Sequence, residues 1–341
     1  MAARIFLALA LVAGTGLQAQ AATPCEGQNL FLTMPAEDIA AIEAATEGVP
    51  FRRGLVFRAT RDDLQMVLVG TYHFDDPRHA ATLDLVRPEF EGATTLLVES
   101  GPAEQARLTE ALTADPTLMV DPTGPTLPER LSPEEWAALS AALSDRGIPA
   151  IMASRMRPWY VSMMLGISPC MMRQMTEAGG VAHGLDHMLI DEAETRGLPV
   201  LSLEPWDTVF TLFEDLSPDQ ELDMIRANLP AAALADDYAV TLTDSYFEGD
   251  VWKLWEFARH DAHANSGLDP EVIDAQLELM QDRLMERRNR AWIEPLLDAA
   301  GDAAAQGGHV VAAFGALHLP GEEGVLNLLA AEGFEITRLD G

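Results

Sequence analysis

A chain of 341 residues with 48% apolar side chains can fill one large or two modest buried cores, which excludes a disordered or fibrous protein. Its 54 acidic against 22 basic side chains give a formal charge of −32, which repels polyanions and argues against nucleic acid or an anionic membrane surface as partner. The same field keeps the protein dispersed and gathers cations or basic peptides near its surface.

The chain opens with MAARIFLALALVAGTGLQAQAA, in which Arg4, an apolar run from Ile5 to about Ala13 and the small-residue pattern Ala19-Gln20-Ala21 form a signal peptide over residues 1–21. Its apolar run is about ten residues long against the ~20 of a spanning helix. The remainder, 22–341, is therefore expected to be periplasmic or secreted, with no stable membrane insertion. Export places the two cysteines, Cys25 and Cys170, where disulfides form. A bond tying the mature N-terminus to the body is the simple expectation, and two buried thiols are the alternative.

A short helix over about Ala36 to Thr46 comes first, then strands over Gly54–Ala59 and Gln65–Val69. The pair Asp76-Pro77 reads as an N-cap with proline in the first turn, so a helix is predicted to start at Pro77, before a strand over Thr95–Val98. Ser132-Pro133-Glu134-Glu135 opens a helix ending near Gly147, and the apolar PAIMA behind it (149–153) reads as a strand. From about Arg157 to Ala193 the pattern is helical and rich in methionine, with Met163, Met164, Met171, Met172 and Met175 read as adaptable core filler. After LPVLSLE, residues about 205–306 carry helix signals almost throughout, including the starts Ser217-Pro218-Asp219 and Asp269-Pro270-Glu271. Strand HVVAAF, a helix from Gly321 and strand FEITRL close the chain. The pattern predicts an α/β fold with a central mixed, largely parallel sheet, flanking helices and one large helical insertion. The first and last strands are expected to pair, making 22–341 a single domain.

Four apolar runs end on chemistry: LQMVLVGTYH at His73, TTLLVE at Glu99, LPVLSLE at Glu204 and VVAAFGALH at His318. In a parallel sheet such ends open onto one crevice. Two imidazoles and two carboxylates gathered there can hold a divalent metal, or work as paired acids and bases without one. Gly70-Thr71-Tyr72-His73 and Gly315-Ala316-Leu317-His318 share a layout in which glycine lets the backbone turn and brings the histidine to the rim. Glu286-Arg287-Arg288-Asn289-Arg290-Ala291-Trp292 is the most basic cluster. It reads either as a solvated helix face or as a guanidinium and an amide that polarise a substrate. His183 and His187 stand four apart without the H-E-x-x-H layout, and His260 and His263 three apart on a helix, so both pairs are weaker candidates. No serine elbow, phosphate loop or dinucleotide fingerprint is present.

The pieces LVGTYHFDDP, LLVESG, MRPWY, GLDHMLIDEAETRGLPVLSLEPWD, ERRNRAWIEPL and VVAAFGALHLPGEEGVLNLLAAEGFEITRL, spanning about residues 54–340, resemble the TraB/GumN family. That family includes the Tiki proteases and is distantly similar to erythromycin esterase and ChaN-like proteins. The resemblance implies a site of His73, His318, Glu99 and Glu204, with Arg288 and Asn289 beside them. From the Tiki branch it implies a metalloprotease using Mn²⁺ or Co²⁺, with those two histidines and two glutamates as ligands. The expectation is an exported metal-dependent hydrolase, first of all a peptidase, acting on a peptide or small-molecule substrate. A metal-independent, histidine-based hydrolase and a non-enzymatic protein binding haem or polysaccharide are the alternatives.

Overall fold

A computed structural model describes residues 25–177 and 183–341. The signal-peptide reading falls on residues outside these. Six strands form one sheet: β1 (Val56–Arg61), β2 (Leu64–Thr71), β3 (Ala93–Val98), β4 (Val200–Ser202), β5 (His309–Gly315) and β6 (Glu335–Arg338), in the spatial order β4-β3-β5-β2-β1-β6. Strands β2, β5, β3 and β4 are parallel, whereas β1 runs antiparallel to both β2 and β6. The α/β class and the mixed, mostly parallel sheet follow directly, and the first and last strands do pair.

Both sheet faces are buried, which is why the strands read as continuous apolar runs. Val67, Val69, Leu96, Val98, Val311 and Ala313 pack on one side with Leu185 and Leu189 of the helix Leu185–Thr195. Their neighbours Met66, Leu68, Leu97, Val310, Ala312 and Phe314 pack on the other with Trp292, Leu296 and Ala300 of the helix Arg287–Ala305. Between β4 and β5 the chain is helical. Capping boxes at Ser132 and Ser217 and the Asp269 cap start their helices where the sequence places them.

Three local expectations need correction. PAIMA is not a strand: Ala150–Ala153 is one turn of helix, with Ile151 81% and Met152 61% exposed and Ala153 joining a core of helices. A short apolar run does not distinguish strand from helix, and this one packs against the helix Pro133–Asp145. The helix expected at Pro77 starts at His79, because Asp76 turns back to accept from the Arg78 amide at 2.9 Å. The helix expected from Gly321 starts at Val325, behind the cap residue Gly324.

Cys25 and Cys170 are disulfide-bonded across 145 residues of sequence. Closing so long a loop restricts the unfolded chain, so the Cys25→Ser/Cys170→Ser variant is expected to lose about 2–5 kcal/mol. Urea denaturation checks this, and an unchanged midpoint would contradict it.

Candidate active site

Strand β5, last of the parallel set in sequence, lies between β2 and β3, so their carboxyl ends stand side by side with β4 next in line. Along this edge the chain presents Glu204, Glu99, His318 and His73. The ladder runs past the strands, with Leu203 N–H donating to Val98 at 2.8 Å and Glu204 N–H to Glu99 at 3.1 Å. The Gly315 amide donates to Glu99 Oε1 at 2.5 Å.

The two glycines serve close approach rather than backbone freedom, since neither Gly70 nor Gly315 has a positive φ. A Cβ on Gly70 would lie 2.6 Å from Leu319 Cδ1. One on Gly315 would lie 3.1 Å from Glu99 Oε1, 3.5 Å from His318 Cδ2 and 3.9 Å from His73 Nε2. Glu99, His318 and His73 thus surround one bare point above Gly315.

The basic cluster divides by helix face. Arg287 and Arg290 point outward to Asp282 and Glu323, while Arg288, Asn289 and Trp292 face the sheet edge. A turn of π-helix, Asp282–Glu286, leads into the helix that carries them, a distortion often found at functional sites. Arg288, only 16% exposed, donates from Nη2 to Glu99 Oε2 at 2.6 Å and to Glu204 Oε2 at 3.0 Å, and from Nε to Glu204 Oε1 at 2.6 Å. Trp292 Nε1 also donates to Glu204 Oε1, at 3.0 Å. One guanidinium bridges both strand-end carboxylates and offsets one of their two charges, in the forked geometry that suits arginine and not lysine. Burial works to raise the Glu99 pKa, but the positive charge around it, from His318 once it is protonated in acid and from Arg288 and His73, together with the Gly315 amide, outweighs burial and holds the carboxylate down at about 2.

His318 is buried and its tautomer is fixed. Asn289 Nδ2 donates to the Glu323 carbonyl at 2.8 Å, so its Oδ1 faces His318 Nδ1 at 2.6 Å and that nitrogen carries the proton. Nε2 then accepts from Arg288 Nη1 at 3.2 Å. Burial drives the pKa down, against the attraction of Glu99, to about 3, which keeps this imidazole neutral.

His73 is the opposite case, with 54% of its side-chain surface exposed. Burial of the remainder opposes the cation. Asp186 Oδ2, 3.2 Å from Nδ1, and the charge of Glu99 prevail, and the pKa is raised to about 9. The Asp186 carboxyl is in turn held far below its usual range: burial opposes this, and His187 and His73 cause it. Two residues that strand-end reasoning does not reach, Asp186 and Trp292, also contact this group. Asp186 lies in GLDHMLIDEA, two residues after Gly184, the residue that brings this helix start against the His73 strand end. A Cβ on Gly184 would fall 2.0 Å from the Tyr72 carbonyl oxygen and 2.3 Å from the His73 carbonyl carbon, so only glycine lets Leu185 N–H reach Tyr72 O at 3.0 Å. Gly184→Ala is expected to cost about 3 kcal/mol by overpacking and to push Asp186 off His73. Thermal denaturation together with the His73 titration checks this, and an unshifted His73 pKa would contradict it.

A model of the TraB/PrgY/gumN family matches residues 55–338, from β1 to β6, and so takes in every residue of this edge. The chain belongs to the TraB/PrgY/gumN family. No curated protein and no solved structure matches it.

The metal expected of this TraB/PrgY/gumN chain can be set against its donor atoms. Both Glu204 oxygens, both Glu99 oxygens and both His318 nitrogens already meet a donor or acceptor, and His73 Nδ1 meets Asp186. Arg288 stands between the carboxylates, where a cation would sit. Among the described residues no group of three or more His, Cys, Asp or Glu is arranged to hold a metal. With Arg288 docked, the set of His73, Glu99, Glu204 and His318 does not fit a divalent ion. Of the weaker histidines, His260 lies 3.5 Å from Asp38 and His263 2.9 Å from Asp274, whereas His187, its ring packed against His183, has Nδ1 3.4 Å from Asp186 Oδ2, the oxygen that meets His73.

Proposed function

We propose that the protein is an exported hydrolase that cleaves an ester or amide in a peptide or small molecule by acid–base chemistry. The observation that carries this reading is the convergence of His73, Glu99 and His318 on one bare point above Gly315, where, against burial, Asp186 favours the His73 cation and Arg288 and the Gly315 amide favour the ionised Glu99. Surroundings that drive pKa values apart are how sites divide acid work from base work.

In this reading the exposed His73 donates from Nε2 to the substrate carbonyl oxygen as negative charge builds there. Glu99 Oε1 orients the attacking water and takes its proton as the new C–O bond forms, and Glu99 passes that proton to the leaving group as the old bond breaks, which restores the carboxylate. Arg288 is a positioning residue that fixes Glu99 against Glu204, while His318 and the Leu284 carbonyl hold the guanidinium in place. Asp186 positions and charges His73. The disulfide suits an oxidising compartment, consistent with export to the periplasm or medium. Mn²⁺ or Co²⁺ bound by His73, Glu99, Glu204 and His318 is the competing reading, and it requires Arg288 to withdraw.

The test is hydrolysis of chromogenic esters and peptides by exhaustively chelated protein. Activity that survives chelation and falls at least ~10²-fold in His73→Ala is expected. Activity that disappears on chelation and returns with Mn²⁺ would contradict the reading, as would no hydrolysis of any substrate.

A further inference from the structure

The helices Pro218–Ala232, Ala235–Phe247, Val251–Asn265 and Pro270–Gln281 line a cavity of about 420 Å³. It adjoins the site at three points. Tyr72 and Leu317 on its wall immediately precede His73 and His318, and Leu284, also on the wall, takes a hydrogen bond from Arg288 Nη1 at 3.0 Å. We propose that this cavity receives an aliphatic chain of the substrate, making the substrate a neutral acyl ester or amide; the proposal rests on the hydrolase reading of the adjoining site.

Four observations support this class. At ~30 Å³ per water-sized group the volume takes about fourteen heavy atoms, the size of a chain of ten to twelve carbons with its carbonyl group. Met171, Met224 and Met280 contribute flexible, polarisable walls, which adapt to a chain of many rotamers better than rigid side chains do. Gln276, on the same wall, has a buried Nε2 that meets no acceptor among the described residues and is available to an oxygen of the ligand. A net charge of −32 disfavours a free fatty acid as ligand but tolerates its neutral ester or amide, and it repels the carboxylate product after cleavage.

The experiment titrates the full mature chain with 1-octanol, 1-decanol, 1-dodecanol and 1-tetradecanol, read by calorimetry and by tryptophan fluorescence, to which Trp255 on the wall contributes. Saturable binding that tightens ~15-fold for every two carbons up to dodecanol, then levels off, is expected. Ala262→Phe, which fills part of the cavity, is expected to move the levelling point to a shorter alcohol. Such a shift in length preference does not arise from misfolding. No saturable binding, or the same length dependence in parent and variant, would overturn the proposal.

Parallel assays with p-nitrophenyl acetate and decanoate separate the two ideas. Alkanol binding without hydrolysis of either ester or of amides supports the cavity and sinks the hydrolase reading. Equal hydrolysis of both esters without alkanol binding keeps the hydrolase and sinks the cavity. Binding of peptides with apolar side chains, but of no alkanol, also overturns the proposal.

Discussion

Arg288→Met is expected to lower hydrolysis ~10²-fold, to cost about 3 kcal/mol of stability and to create affinity for Mn²⁺ where the parent has little. The three effects share one cause. The guanidinium sits 2.6 Å from both Glu99 and Glu204, and all three side chains are largely buried. Methionine keeps the volume and removes the charge, leaving two carboxylates close together with no counterion. Removing one partner of a buried pair strands the other, so the loss exceeds the net worth of the original bonds. The carboxylates then either take up a proton or recruit a divalent cation, and an imidazole at His318, released from Arg288, is free to join them. Urea denaturation and metal content after desalting measure the outcome. Stoichiometric Mn²⁺ in the parent and its loss in the variant would show that arginine supports a metal centre rather than taking its place.

Asp186→Asn is expected to move the alkaline limb of the pH–rate profile from about 9 down toward the ordinary 6.5 of histidine, cutting activity at pH 8 by about tenfold or more. Asparagine keeps a hydrogen bond to His73 and removes the charge that holds its proton. Stability carries the same signature. A histidine whose pKa is raised on folding contributes most below 6.5 and loses that contribution as the pH rises through about 9. In the variant that decline should flatten. His318 acts in the opposite sense: its pKa is lowered on folding to about 3, so its contribution is present above 6.5 and is lost as the pH falls toward 3. The parent is therefore expected to be most stable near pH 6.5. A profile with an unmoved alkaline limb in Asp186→Asn would remove His73 as the acid.

The strand ends were readable because parallel strands buried on both faces appear as unbroken apolar runs, and the residue that closes each run stands at the rim. That placed His73, Glu99, Glu204 and His318 on one edge and in the correct sheet. The order of the strands was not readable, and it is the insertion of β5 between β2 and β3 that brings His318 beside Glu99. Nor was the role of Arg288, since a basic helix segment reads the same whether its arginines face solvent or carboxylates 84 and 189 residues away. Asp186 reaches His73 across 113 residues, which no local pattern encodes. PAIMA failed for the converse reason: five residues are too few for a period, and tertiary packing decided the outcome.

The central claim, two imidazoles held in opposite states on one sheet edge, is tested most directly by titrating the histidines of the selectively labelled protein by NMR. There are eight, and His73→Ala and His318→Ala assign the two that matter. The geometry predicts that His73 stays charged up to about pH 9, and that His318 stays neutral from about pH 4 upward with its proton on Nδ1. A His73 titration at or below 6.5, or a charged His318 near pH 6, would contradict it.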